Sequence, residues 1–254
     1  MEAAGNFYRL ALGLARETDD PAAIGNALYN LVFPHALMGD RAEGDRLLDQ
    51  ALSLYREVGN GHGVGRVLWG IASVAQVFHD SASAVAPFEE SLAVFEELGD
   101  AFNAGWAHRM LGRALFDLGD QAGARRHLQE GLQIFANSKD QSAVVLYLAD
   151  FARLAVGEGF PERAIRLVGA KSRLEETSGT GLAVAVLFNE FPGLPELVAQ
   201  LGEEKAAALL EEGRGHELRP GGDLCPGERE GFQRFVARPA PSEVAPVDDD
   251  SVDG

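Results

Sequence analysis

Along this chain the apolar residues return at helical rather than strand spacing. In residues 42–58, Leu47, Leu48, Ala51, Leu52, Leu54 and Tyr55 keep falling on one stripe, and so do Phe88, Leu92, Val94, Phe95 and Leu98. Leu128, Leu132, Ile134 and Phe135 form a third such stripe. A period near 3.6 residues predicts amphipathic helices. Between the stripes stand short turn signals: Asp19-Asp20-Pro21, Gly39-Asp40, Gly59-Asn60, His79-Asp80, Gly99-Asp100, Gly119-Asp120, Lys139-Asp140 and Gly159-Phe160-Pro161, one every 20 residues. Each interval has room for a helix of about 15 residues, roughly 22 Å long. Gly ends one helix by accepting a left-handed conformation, and Asp or Asn caps the next.

Alternate segments resemble each other more than neighbours do, so the full period is 40 residues, or two helices. Ala4, Gly44, Ala84, Ala124 and Ala164 are all small; Tyr8, Leu48, Phe88, Leu128 and Val168 are all large and apolar; Leu12, Leu52, Leu92 and Leu132 are identical. Small residues let two antiparallel helices approach, and large ones fill the space beside them. One pair cannot bury its own stripe, so stacking is required. A heptad coiled coil would be interrupted by a break every 20 residues. Pro34 and Pro87 fall inside helical segments and are expected to kink them or shift a boundary.

The stretch Leu111-Gly112-x-x-Leu115-x-x-x-Gly119-Asp120-x-x-x-Ala124-x-x-x-Leu128-x-x-Gly131-Leu132 resembles a tetratricopeptide repeat lengthened to about 40 residues. Ile71-Ala72, Ala84, Phe88 and Ser91-Leu92 follow it less closely, as do Leu31, Gly44, Leu48 and Ala51-Leu52. The resemblance covers about residues 3–179. Two departures stand out: His108 occupies a position that is usually large and apolar or aromatic, and the repeat-closing Pro is missing from the second helices. The resemblance implies an all-α, right-handed α-α superhelix of antiparallel helix pairs. A second, narrower resemblance joins residues 162–179 with Leu201-Gly202-Glu203-Glu204-Lys205 and Glu211-Glu212-Gly213-Arg214. These are similar to the C-terminal end of bacterial signal-transduction ATPases and LuxR-like or antibiotic-regulatory transcription factors, which implies a sensor or effector-docking arm. Residues 7–17 read as a second helix with no first helix before it.

The organisation expected is a repeat array over residues 1–180 with an incomplete first repeat, capping helices over 181–218, and a tail over 219–254. Residues 182–191 suit a capping helix, and 194–201 and 203–212 read as two short closing helices. Caps shield the last apolar face of a solenoid. From Arg219 onward the chain holds five of its 11 prolines, lacks periodicity and ends in an acidic run, the composition of a disordered segment.

Composition narrows the function. Hydrophobic content of 46% with 8% aromatics suits helices. A net charge of −17 opposes the basic footprint of a phosphate-gripping protein, so no direct nucleic-acid binding is expected. Cys225 is the single cysteine and excludes an internal disulfide, which fits a reducing, cytoplasmic setting. Residues 1–6 show no signal-peptide pattern, and no window approaches the roughly 18 apolar residues of a membrane span.

No catalytic constellation is visible, so the chain reads as non-enzymatic, with no cofactor and no metal. Gly169-Ala170-Lys171-Ser172 lacks the spacing and the strand context of a phosphate loop. His35, His62, His79, His108, His127 and His216 form neither H-E-x-x-H nor a cluster with Cys, and each reads as a surface or packed residue. Cys225 has no evident base, and Glu89-Glu90 and Glu96-Glu97 read as solvated helix faces.

The resemblance further implies that the first helix of each pair lines a concave face. Its columns place Asn26, Arg66, Trp106 and Leu146 together, then Tyr29, Trp69, Arg109 and Ala149, then Phe33, Ser73, Arg113 and Arg153. The expected groove is thus Asn26, Tyr29, Phe33, Arg66, Trp69, Ser73, Trp106, Arg109, Arg113 and Arg153. Aromatics and Arg anchor binding surfaces by combining contact area with directed hydrogen bonds. The expected partner is a protein or peptide, or a small ligand bearing carboxylate or phosphate. On the competing reading, Trp69 and Trp106 pack between helices and the arginines pair with local Glu. The match to the family's carboxylate-clamp residues is too poor to specify chaperone tails. Two functions follow: an interaction scaffold, as a regulator's docking arm, or a small-molecule or signalling-peptide sensing module. Exposed repeat ends can also stack, which leaves a homodimer open.

Overall fold

The computed structural model describes residues 2–17, 19–179 and 193–215. The expected capping helix over 182–191, the tail from Arg219, His216 and Cys225 lie outside them. Eleven helices are seen among the described residues: α1 (Glu2–Glu17), α2 (Pro21–Leu37), α3 (Arg41–Glu57), α4 (Gly61–Val77), α5 (Ser81–Glu97), α6 (Ala101–Asp117), α7 (Gln121–Ser138), α8 (Gln141–Gly157), α9 (Pro161–Ser178), α10 (Leu194–Leu201) and α11 (Glu203–Arg214). The first nine keep the 20-residue beat and run to 16–18 residues, slightly longer than the pattern suggests. Pro34 and Pro87 stay inside α2 and α5 without moving either helix boundary off that beat.

The beat is set at the turns. The residue two positions before each of α2 to α9 is left-handed, with φ of 49° at Asp19, 84° at Gly39, 58° at His79 and 63° at Lys139. The residue after it does two jobs. Its amide closes the preceding helix: Asp40 N–H donates to His35 C=O at 2.9 Å, Asp100 to Phe95 at 2.9 Å, and Asp140 to Phe135 at 3.0 Å. Its side chain opens the next: Asp40 accepts from Glu43 N–H at 3.2 Å, Asn60 from Gly63 at 2.9 Å, and Asp120 from Gly123 at 2.8 Å. Such a cap contributes about 1 kcal/mol. At α9 the cap position is Phe160, which has no capping side chain, and Pro161 supplies the fixed φ of a first helical residue instead.

Each helix packs against the next, and α2 also touches α4, α4 touches α6, and α6 touches α8. The first helices of the pairs therefore form the closer, inner row of a right-handed α-α superhelix. The columns seen in the sequence fill its core: Leu48, Phe88, Leu128 and Val168 are buried, and so are Gly44, Ala84, Ala124 and Ala164. Tyr8, in the same column, stays exposed on α1, which packs chiefly on α2. Within a pair, a second-helix aromatic lies on a first-helix glycine. A Cβ on Gly105 would meet the Phe135 ring at 2.5 Å, and Gly25 with Tyr55 and Gly65 with Phe95 repeat the arrangement. Between pairs, the first residues of α3, α5 and α7 reach the far end of the next first helix: Arg41 bonds Asp80 at 3.1 Å, Ser81 bonds Asp117 at 3.1 Å, and Gln121 bonds the Gly157 carbonyl at 2.8 Å.

At the far end α10 and α11 pack on α9. Backbone meets backbone there: a Cβ on Gly169 would sit 2.2 Å from Leu210 O, and one on Gly213 2.0 Å from Arg166 O. Salt bridges Arg166–Glu212 (2.7 Å) and Arg214–Glu176 (2.8 Å) flank that crossing. No helix among the described residues is long and apolar enough to cross a membrane.

A left-handed backbone costs a residue with a Cβ about 1–2 kcal/mol, of which the greater chain entropy of glycine returns part. Replacing His79 or Lys139 by Gly should therefore raise stability by about 0.5–1 kcal/mol in urea denaturation, and Gly119→Ala should lower it by about 1 kcal/mol. A destabilising His79→Gly would show that the ring contributes more than the turn.

Candidate functional site

The inner row carries the ten expected groove residues: Asn26, Tyr29 and Phe33 on α2, Arg66, Trp69 and Ser73 on α4, Trp106, Arg109 and Arg113 on α6, and Arg153 on α8. They gather in two clusters. At the α2–α4 step, Tyr29 and Phe33 stack edge-on at 5.6 Å, and Phe33 meets Trp69 at 6.4 Å. The Arg66 guanidinium lies 4.7 Å over the Tyr29 ring and donates to Asn26 Oδ1 at 2.9 Å. That oxygen also accepts from the Tyr55 hydroxyl at 3.0 Å. Burial pushes the Tyr29 phenol up to about 12, so a neutral ring faces the cation.

At the α6–α8 step, Arg109 Nε donates to Asp150 Oδ2 at 2.5 Å, both side chains buried, while Arg113 Nε stands 3.8 Å from the other carboxylate oxygen. Arg109 also lies 5.8 Å over Trp106, which packs on Phe135 at 5.2 Å and Phe102 at 6.2 Å.

Three expected groove residues therefore lie beneath the surface: Tyr29, Ser73 and Arg109 are buried. Arg109 is drawn inward by Asp150, an acid 41 residues on that sequence columns alone do not pair with it. Trp69 and Trp106 are half-buried against Phe88 and Phe135, part of the way to the interhelical packing of the competing reading. The open surface is left to Asn26 and to partly exposed Phe33, Arg66, Trp69, Trp106, Arg113 and Arg153. Among the described residues, Arg66 and Arg153 make no ion pair. Trp69 Nε1 and Ser73 Oγ, one helical turn apart, are buried with no hydrogen-bond partner.

Elsewhere, Gly169-Ala170-Lys171-Ser172 lies within α9, where Lys171 pairs with Glu175 at 2.7 Å, so its amides cannot cradle a phosphate. The histidines hold a surprise. His108 and His127, read as separate residues, face each other with Nδ1 atoms 3.0 Å apart, because 19 residues carry the chain down α6, around one turn and back along α7. Burial, then the neighbouring His127, hold the His108 imidazole down to about 4.

The model for the tetratricopeptide repeat matches residues 23–97 and 67–137. No curated protein matches the sequence. Among solved structures, the crystal structure of BtubC (BKLC) from P. vanneervenii is similar at 16% identity with a TM-score of 0.58, covering 87% of this chain and 95% of that one. The crystal structure of a Podosopora anserina putative kinesin light chain with nearly identical TPR-like repeats is similar at 16% identity and a TM-score of 0.57, covering 85% and 99%. Both likenesses show the fold.

Two substitutions probe the buried polar groups. Asp150→Ala strands the Arg109 charge and should cost about 3–5 kcal/mol, most of it recovered in Asp150→Leu with Arg109→Met. Ser73→Ala removes a hydroxyl that has no partner, so the melting temperature should hold or rise; a clear fall would reveal a partner for that hydroxyl.

Proposed function

We propose, from the premise that residues 23–137 carry tetratricopeptide repeats, that this chain is a non-catalytic protein-interaction scaffold whose inner helix row holds a peptide or helix of a partner. The observation that carries the reading is the pair Arg66 and Arg153. In a chain of net charge −17, both stand partly exposed on the inner row and make no ion pair among the described residues. Half-buried Phe33, Trp69 and Trp106 lie on α2, α4 and α6 of the same row. Forked cationic donors beside aromatic faces suit a partner segment that alternates acidic or phosphorylated groups with apolar ones.

The docking-arm reading draws support from the array's end. Two of the three segments that resemble the C-terminal region of bacterial regulators, 162–179 and 211–214, are packed face to face, Gly169 of α9 against α11 and Gly213 of α11 against α9. A scaffold that ends on such a cap suits the effector-docking arm of a regulator.

Affinity capture with the full chain, followed by mass spectrometry, tests the groove. Arg66→Glu with Arg153→Glu should remove the captured partner, or weaken it about tenfold or more, with the helical circular dichroism unchanged. A partner retained by that double variant at full strength would place the contact elsewhere. Saturable calorimetric binding of a small anion, lost in the same variant, would select the sensing-module reading instead.

A further inference from the structure

On the other side of α6 from the groove lies a cluster that repeat packing does not call for. In the column of position 108 the other repeats carry Leu28, Leu68 and Leu148, all buried. In the column of position 127 they carry Leu47, Pro87 and Leu167. Only the α6–α7 pair has histidine at both, and the two rings meet where Leu28 and Leu47, or Leu148 and Leu167, supply plain apolar packing elsewhere. Exchanging two core leucines for imidazoles has a desolvation cost that needs a compensating interaction.

The geometry supplies one. His108 Nδ1 and His127 Nδ1 are 3.0 Å apart, and Glu130 Oε2 lies 3.4 Å from the first and 3.7 Å from the second. Three donors at tetrahedral positions about a divalent ion, with bonds of roughly 2.0–2.1 Å, stand about 3.3–3.4 Å from one another. His127 and Glu130 are three residues apart on α7, which places them on one helix face. Glu96 Oε1 on α5 lies 3.8 Å from His108 Nε2, where it can take that ring's remaining N–H and leave Nδ1 bare for a ligand bond. Arg126 Nη2 lies 3.4 Å from His127 Nε2. Arg126 is exposed and can turn into solvent when that nitrogen carries the proton.

We propose that His108, His127 and Glu130 form a binding site for one borderline first-row divalent cation, Zn²⁺ or a close analogue, which pins α6 to α7. Two imidazoles and one carboxylate match that metal class better than Mg²⁺ or Ca²⁺, which take oxygen ligands. The fourth position opens on the solvent side of half-exposed Glu130. The site shares no residue with the groove, so it stands or falls independently of the scaffold reading.

The test is titration of the metal-stripped full chain with Co²⁺, read by its visible spectrum, followed by displacement with Zn²⁺. One Co²⁺ per chain with the intense bands of tetrahedral coordination is expected, and Zn²⁺ should raise the melting temperature. His108→Leu and His127→Leu, which install the leucine found at positions 28, 68 and 148 of the first column and 47 and 167 of the second, should keep the helical circular dichroism and lose the bands. Glu96→Gln should weaken binding about 10–100-fold at unchanged stoichiometry. If the leucine variants fail to fold, Glu130→Gln at the exposed edge carries the test, and it should change the spectrum and lower the affinity. A wild-type chain without a tetrahedral Co²⁺ spectrum overturns the proposal. So does a spectrum that survives His108→Leu, which would assign the ion to the exposed histidines.

Discussion

The array depends on one residue serving two helices at six of its turns. At Asp40, Asn60, Asp80, Asp100, Asp120 and Asp140 the backbone amide closes the helix behind while the side chain caps the helix ahead. That double use needs a left-handed residue immediately before it, which glycine supplies at positions 39, 59, 99 and 119. A turn so short leaves the chain little choice but to reverse, so each helix lies antiparallel to the last at a fixed pitch. The 20-residue beat is the length of one helix plus this junction.

Packing then converts pitch into shape. Because Tyr55, Phe95 and Phe135 lie on Gly25, Gly65 and Gly105, the pairs α2–α3, α4–α5 and α6–α7 close tightly in the same way. Repetition of one geometry curves the stack and brings the first helices together into an inner row. The far end departs from the beat where it must stop. The column of Gly105 holds Val145, that of Phe135 holds Glu175, and the closing contact is made by Gly169 and Gly213 instead. The inner row is consequently continuous from α2 to α8, with its two polar-aromatic clusters at the first and last steps.

What was legible in the sequence was whatever repeats. Break points, helix identity and the small and large columns recur, and each recurrence corrects for accidents in any one copy. Less legible were features that occur once. Asp150 buries Arg109 from 41 residues away, and His108 finds His127 across a hairpin, so both depend on how particular helices register against each other. A signal for the second was present: Leu28, Leu68 and Leu148 share the column of His108. A polar residue in an otherwise apolar column marks a place where one repeat departs from the common packing. The burial of Ser73 and Tyr29 escaped the columns because neighbouring side chains, rather than helix phase, decide how deep an inner-row residue sits.

Hydrogen exchange measured residue by residue tests the central claim most directly. If the shared turn residue holds the array together, the amides of Asp40, Asp80, Asp100, Asp120 and Asp140 will exchange as slowly as those in the interiors of the helices they join. Fast exchange at those amides beside well-protected helices would contradict it, because the helices would then be held by side-chain packing alone with the junctions open.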